Sequence, residues 1–351
     1  MSERLEIVVP IFNEEPCLDA LLQRLIALRE SISDLVDAEF IFVDDGSRDA
    51  SYKILNEAAS RNSFIKVIRF RRNFGHQMAI TAGMDASTAE WIAVIDADLQ
   101  DPPELLRDML LLARNGKYEI VYGKRETRDG ESSFKLLTAK IFYRLLNSLC
   151  EVDIPRDTGD FRLMRKVVVD TLRLLPERHR FVRGLVPWLG FSSASFEYHR
   201  KARHAGETKY PLYKMMQLAI TAILSFSVLP LRIASFVGLI SIAISFGLGG
   251  WFLYMKLFTN MLFPGFASTV CIILFIGGVQ ISFLGIIGEY LAKIFEESKG
   301  RPIYLVRDLL NMGDSELSMD GYPRWRGYAC LEKQRNRGED LFSNLEDVKV
   351  A

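Results

Sequence analysis

Two runs of this chain carry no charged side chain at all, Ile233 to Met255 and Leu257 to Gly288. A helix rises about 1.5 Å per residue and the hydrocarbon core of a bilayer is about 30 Å thick, so the first run is long enough to cross. The second has room for a turn around Asn260 to Gly265 and a crossing from about Phe266 to Gly288. Arg232 precedes the first crossing, Lys293, Lys299 and Arg301 follow the second, and the connection between them has no charge beyond flanking Lys256. Positive charge collects on the cytoplasmic side, so both chain ends are expected there, and an even number of crossings agrees. Gly285 and Gly288 are expected to permit close helix packing. Met215 to Leu231 is uncharged but holds Gln217, several hydroxyls and Pro230; it is borderline in length for a crossing and reads as an interfacial helix over residues 212–232, with a third crossing as the alternative.

Upstream, from Met1 to about Lys209, the sequence is mixed in polarity, and the slightly positive mean hydropathy of the whole chain comes from the later half. Leu5-Glu6-Ile7-Val8-Val9-Pro10, Phe40-Ile41-Phe42-Val43, Ile65-Lys66-Val67-Ile68 and Trp91-Ile92-Ala93-Val94-Ile95 read as strands. Helical spacing follows each: a helix opening at Asn13-Glu14-Glu15-Pro16 and running to about Glu30, then about Ala50 to Ser60, Met78 to Ala86, and Leu105 to Ala113. Four such alternations with short connections imply a mostly parallel sheet covered on both faces. Ligands of such sheets bind outside the carboxyl ends of the strands, where Glu14, Asp44, Asp45, Asp96 and Asp98 fall.

The most informative of these ends is Asp96-Ala97-Asp98-Leu99-Gln100-Asp101-Pro102-Pro103-Glu104. Asp101 is placed to cap the next helix, with Pro102 at its first position and Glu104 closing its first turn. Asp96, Asp98 and Gln100 then have no structural task. Two carboxylates and an amide oxygen on one loop suit a hard divalent cation that keeps positions open for phosphate. Neither a Gly-x-Gly-x-x-Gly fingerprint nor a Gly-x-x-x-x-Gly-Lys loop follows the first strand, which disfavours nicotinamide and P-loop chemistry. Lys and Arg balance Asp and Glu at 44 each, so no net field points to nucleic acid. The four cysteines, Cys17, Cys150, Cys271 and Cys330, show no metal-ligand or disulfide spacing and read as structural thiols. The first residues lack the apolar region of a signal peptide, and this part of the chain is expected in the cytoplasm.

Pro10-Ile11-Phe12-Asn13-Glu14, Val43-Asp44-Asp45-Gly46-Ser47 and the Asp96 to Glu104 stretch resemble the family 2 glycosyltransferases of GT-A fold. More narrowly, the chain resembles the polyprenyl-phosphate branch that includes dolichol-phosphate mannose synthase and the bactoprenol glucosyltransferases. Gly159-Asp160-Phe161-Arg162-Leu163-Met164 and Gly206-Glu207-Thr208-Lys209-Tyr210, followed by paired membrane helices, favour the bactoprenol type. The resemblance covers about residues 4 to 310. It implies an α/β, Rossmann-like GT-A domain joined to an α-helical membrane domain with two transmembrane helices.

The resemblance also implies roles. Pro10, Phe12 and Glu14 would lie against base and ribose, with Asp44 and Asp45 near uracil or ribose, where a carboxylate accepts from an N–H or hydroxyl. Asp98 and Gln100 would hold Mg2+ or Mn2+, with Asp96 on nucleotide or metal, and the ion would neutralise the leaving diphosphate. Arg125, Arg203 and Lys209 would hold phosphates. Asp160 matches the family's proposed catalytic base. The acceptor, however, is a phosphate monoester whose second pKa of about 6 leaves it mostly dianionic, so orienting the acceptor or stabilising positive charge on the sugar are open roles too. Asn13 and Glu15 read either as helix caps or as part of the site, Arg71 and Arg72 as solvated loop charges, and His76 as either a sugar contact or a structural loop histidine.

The expected activity is inverting transfer of a sugar, glucose from UDP-glucose, to polyprenyl (undecaprenyl) phosphate in the membrane. GDP-mannose as donor is the close alternative, and a non-catalytic membrane scaffold is the alternative of a different class. A processive synthase is disfavoured because Pro323-Arg324-Trp325 lacks the glutamine of a Gln-x-x-Arg-Trp motif. The expected division is a transferase domain over residues 1–211, the interfacial helix, a transmembrane hairpin over 233–289, a cytoplasmic return segment over 290–311 and a poorly ordered tail over 312–351. Phe134 to Leu149 reads as a core helix or as a basic amphipathic helix on anionic lipid. Tyr304-Leu305-Val306 reads as a short strand pairing with the transferase domain or with a neighbouring protomer of a homo-oligomer.

Overall fold

The computed structural model describes residues 3–125, 158–178, 180–198, 229–258 and 265–312. In β1 (Arg4–Ile11) every residue after Arg4 is buried, as expected of a central strand covered on both faces. Helix α1 (Glu15–Ser31) follows, with Pro16 in its first turn, Glu15 and Arg29 at the dipole ends that favour them, and Leu18, Leu21, Leu25 and Leu28 turned inward. Then come β2 (Asp37–Asp44), α2 (Ser51–Arg61), β3 (Ile65–Phe70), α3 (His76–Ala86) and β4 (Trp91–Val94). A short 3-10 turn at Pro103–Leu105 leads into α4 (Leu106–Gly116) and β5 (Ile120–Arg125). Downstream are β6 (Thr158–Arg165), α5 (Lys166–Leu174), α6 (Val182–Trp188) and β7 (Ser193–Tyr198). The long helices α7 (Leu229–Phe258) and α8 (Phe266–Ser298) precede the final strand β8 (Val306–Leu310).

The strands form one sheet of eight in the order β7-β5-β6-β4-β1-β2-β3-β8. β4, β1, β2 and β3 are parallel, so their carboxyl ends lie along one edge, while β6 and β8 run against their neighbours on either side. The expected strand-helix alternation is therefore present, and the fold is the mostly parallel α/β type. The core beneath this edge is built from Leu5, Ile7, Val9, Phe40, Phe42, Trp91 and Phe161, all essentially buried. A charged pair, Glu6 and Lys66, is buried with it. Glu6 on β1 accepts from Lys66 Nζ (2.7 Å), the Ser87 hydroxyl and the backbone N–H groups of Thr88 and Ala89, so its buried charge is fully hydrogen-bonded.

Three local expectations are corrected. Asp101 caps no helix; its buried carboxylate accepts from Tyr198 Oη at 2.5 Å, tying the Asp96 loop to β7. Glu104 instead receives a bidentate Arg24 fork at 2.8 and 2.6 Å. The last strand begins at Val306 rather than Tyr304, and it pairs antiparallel with β3 of its own chain. Tyr304 lies before it, stacked on Phe70 at 5.1 Å with its hydroxyl donating to Asp85.

Strands β1–β8 and helices α1–α6 belong to one compact unit, and α7 and α8 to a second. Both helices of the second unit are long and apolar enough to cross a membrane, and their apolar side chains are largely exposed, Phe246 and Phe275 among them. Helix α8 does not stop near Gly288 but continues to Ser298. A Cβ at Gly285 or Gly288 would meet nothing within 4 Å among the described residues, so the expected close packing at these glycines is not seen. The segments expected as the 134–149 helix, the interfacial helix and the tail after residue 312 lie outside the described residues, apart from Leu229–Arg232, which open α7.

Candidate active site

Asp96 and Asp160 meet because of strand register. On the antiparallel pair β4 and β6, Val94 lies opposite Arg162. Continued two residues, the same register sets Asp160 across from Asp96. His76, the first residue of α3, then approaches both, with Nε2 3.0 Å from Asp160 Oδ2 and 3.5 Å from Asp96 Oδ1. Ligand-capable atoms of His76, Asp96 and Asp160 all lie within 4.8 Å of one another.

Asp160 is fully buried and heavily bonded. Arg183 from α6 forks onto it, Nε to Oδ1 at 2.8 Å and a terminal nitrogen to Oδ2 at 2.6 Å. Buried Arg162 adds a contact to Oδ1 at 3.3 Å, and Gln77 approaches Oδ2 at 3.5 Å while its own oxygen accepts from Val182 N–H. Burial opposes charge on Asp160, but the bonds from Arg183 and His76 outweigh it and hold the carboxyl well below the usual range. Asp96 moves the other way. Burial and the neighbouring Asp160 charge push it up to about 6. Its Oδ1 is buried and accepts no hydrogen bond. For His76, burial disfavours the cation, yet the hydrogen bond to Asp160 and the charge of Asp96 raise its pKa overall.

Asp98 and Gln100 lie on the turn after Asp96, where Gln100 N–H donates to Asp98 Oδ1 at 3.1 Å. Leu99 between them has φ +60°, a left-handed conformation that costs a side-chain-bearing residue about 1 kcal/mol and is held here by burial of its side chain. Asp98 is outside the three-residue cluster formed by His76. Its charge, with that of Glu14, faces the buried Cys17 thiol, whose pKa is raised by burial first and then by those two carboxylates.

At the end of β2, Asp44 is buried, with Oδ1 accepting from Ser47 N–H and Oδ2 accepting no hydrogen bond. Asp45 clamps the loop before α3, since its oxygens accept from Phe74 N–H at 2.6 Å and Gly75 N–H at 2.9 Å. Desolvation raises the Asp45 pKa against those two bonds. Pro10 is buried within β1, Phe12 stands half-exposed just beyond it, and Glu14 N–H donates to Ser51 Oγ. The expected capping of α1 by Asn13 and Glu15 is not seen; both side chains hold the loop that leads into α2 instead. Glu15 accepts from Ala50 N–H at the start of α2 and Asn13 from Arg48 N–H. Arg71 and Arg72 are exposed. Arg125 ends β5; its side chain, Arg203 and Lys209 lie outside the described residues.

Sequence reasoning brought Asp96 and Asp160 to one site and left His76 open. It gave no part to Arg183 or Gln77, and none to Arg162 beyond its place in the quoted motif. Nothing in local spacing marks Arg183, which reaches Asp160 from a separate helix.

The sequence profile of Glycosyl transferase family 2 matches residues 6–173. An uncharacterized glycosyltransferase of Bacillus subtilis, YkcC, is 46% identical over 90% of this chain and 96% of its own length. The chain belongs to glycosyl transferase family 2. This transferase is also 36% identical, over 87% of its length and 98% of the relative's, to the bactoprenol glucosyl transferase of Shigella phage SfV. Among solved structures, the Staphylococcus aureus TarS 1-349 fragment in complex with UDP-GlcNAc is similar, with a TM-score of 0.44 at 18% identity, covering 64% of this chain and 67% of that one.

Proposed function

We propose that this glycosyltransferase moves glucose from UDP-glucose to the phosphate of a polyprenyl lipid such as undecaprenyl phosphate, with inversion at C1. The observation that carries this reading is the near full-length match to relatives named bactoprenol glucosyl transferase, a match that extends well past the strands into the two long apolar helices.

The donor would lie along the carboxyl edge of the sheet. Pro10, Phe12 and Glu14 face its base and ribose, with Asp44 offering its unbonded Oδ2 and Asp45 holding the loop beside it. An oxygen donor set on a strained turn, with a buried carboxylate oxygen unbonded at Asp96, fits a hard divalent cation. Asp98, Gln100 and Asp96 would hold Mg2+ or Mn2+, and when bound the ion supplies charge neutralisation for the departing diphosphate. Arg125, Arg203 and Lys209 are proposed to hold phosphate oxygens.

Asp160 is a poor candidate for a general base. A base is efficient when its pKa lies near the working pH, and Asp160 is held far below that with both oxygens accepting from Arg183. The acceptor phosphate needs no base, because it is mostly dianionic at neutral pH. We assign Asp160 instead to aiming Arg183 and His76, both partly exposed, which would meet acceptor phosphate and sugar. The long apolar helices keep this site at the cytoplasmic face, where a soluble donor and a membrane-bound phosphate can meet. Both chain ends are proposed to lie on that face, following the positive charge around the two helices.

The stereochemistry tests the reading. A single displacement on UDP-glucose, whose sugar is α-linked, predicts a β-linked glucosyl lipid, read from the anomeric proton coupling of the purified product. An α-linked product would contradict direct displacement, and absence of any lipid product would contradict the acceptor.

A further inference from the structure

Three charged residues stand directly opposite one another on three adjacent strands. Asp44 on β2 pairs in register with Arg69 on β3, and Arg69 with Asp308 on β8. Arg69 Nε lies 3.4 Å from Asp44 Oδ2 but makes no hydrogen bond, while its terminal nitrogen donates to Asp308 Oδ2 at 3.3 Å. The guanidinium is also stacked on Tyr52 at 3.8 Å from the ring centre. Arg307 Nε, at 3.7 Å, is a second cation beside Asp308. Arg69 is thus shared between two carboxylates on opposite sides, and opposite charges in register are favourable cross-strand pairs.

β8 is seated by contacts of its own. Arg71 N–H donates to Leu305 O, Tyr304 stacks on Phe70, and the Asn311 amide donates to the carbonyls of Ala59, Asn62 and Ile65. This strand follows α8 in the chain, so the segment that returns from the apolar helices completes the sheet edge beside β3, one strand from Asp44.

We propose that Asp308 is a positioning residue for the donor site: by holding Arg69 from the far side, it keeps Arg69 from closing onto Asp44 Oδ2 and leaves that oxygen for the nucleotide. Without Asp308, Arg69 has one carboxylate left, and an arginine fork takes both oxygens of a carboxylate where it can. The nucleotide then competes with an internal ion pair. The inference rests on the reading of Asp44 as a nucleotide contact.

The test uses the full-length protein in lipid nanodiscs, with UDP binding by calorimetry and glucosyl transfer from UDP-glucose to undecaprenyl phosphate. Asp308→Asn is expected to weaken UDP binding and raise the donor KM about tenfold, with kcat and acceptor KM within about twofold. Asp308→Glu is expected to restore most of the donor affinity. Asn311→Ala loosens the same strand without touching Arg69, and is expected to leave donor KM unchanged. Equal losses in Asn311→Ala and Asp308→Asn, spread over kcat and both KM values with a lower melting temperature, would overturn the inference in favour of a merely structural strand. Unchanged donor affinity in Asp308→Asn, with Asp44→Ala deficient in UDP binding, would overturn it and leave the nucleotide reading standing. Normal UDP binding by Asp44→Ala would overturn both.

Discussion

Asp160 balances two arginines, and that fixes what its removal does. Arg162 and Asp160 are both essentially without solvent contact, so Asp160→Asn leaves a buried guanidinium without its counter-charge. Breaking a buried pair costs about 3 kcal/mol or more, so the variant should melt at a clearly lower temperature in detergent, and lost activity alone would not identify a base. An unchanged melting temperature would mean the arginines find another partner. Arg183→Lys is the sharper substitution. Lysine keeps the charge but cannot form the two parallel bonds seen here, and Arg183 is partly exposed, so kcat should fall about tenfold or more with little change in melting. At this scale the sequence singled out polar residues at a strand end with no structural work, Asp96 and Asp98, while Asp160 was reached only through the family resemblance. It was silent on Arg183 and ambiguous on His76, because their partner is set by strand register and helix placement rather than by neighbours in the chain.

Among elements, the strand-helix alternation was readable because central parallel strands are apolar along their whole length. Glu6 on β1 and Lys66 on β3 are buried exceptions that the pattern does not explain, and the structure does. Burial opposes the charge of Glu6, but Lys66, Ser87 and the Ala89 N–H outweigh that and lower its pKa below the ordinary glutamate value of 4.5. A depressed carboxylate stabilises the fold fully above the unfolded value and loses that contribution as pH falls through the folded one. Stability should therefore decline below about pH 4.5 more steeply in the native protein than in Glu6→Gln, where Lys66 keeps its other partner, Glu39. Parallel acid-unfolding curves for the two proteins would contradict this. Gly46 carries the loop geometry: its φ is +70°, and a Cβ there would lie 2.7 Å from the backbone carbon of Arg72. Gly46→Ala should push the loop off the Asp45 clamp and weaken UDP binding about tenfold, measured by calorimetry. The misread boundaries have tertiary causes as well. Asp101 was a plausible cap until Tyr198 reached it from β7, and the final strand starts two residues late because Tyr304 is stacked on Phe70.

Over the whole molecule, composition marked out two kinds of structure, leaving 134–149 and 215–231 open between them. Charge-free runs became two long helices with exposed apolar sides, and the alternating remainder became a sheet whose last strand comes from beyond them. If both ends lie in the cytoplasm, a fluorescent protein that matures only there should fluoresce when fused after Ala351, and an exported phosphatase at the same point should be inactive; the opposite pattern would contradict the proposed topology. The central claim is metal-dependent glucosyl transfer to a polyprenyl phosphate. It is tested most directly by offering the purified protein radiolabelled UDP-glucose and GDP-mannose with undecaprenyl phosphate, with and without Mg2+ or Mn2+, beside Asp98→Ala. Label should enter the lipid from UDP-glucose only when metal is present, and not in the variant. Transfer from GDP-mannose alone would contradict the donor, and transfer that survives chelation or the loss of Asp98 would contradict the metal site.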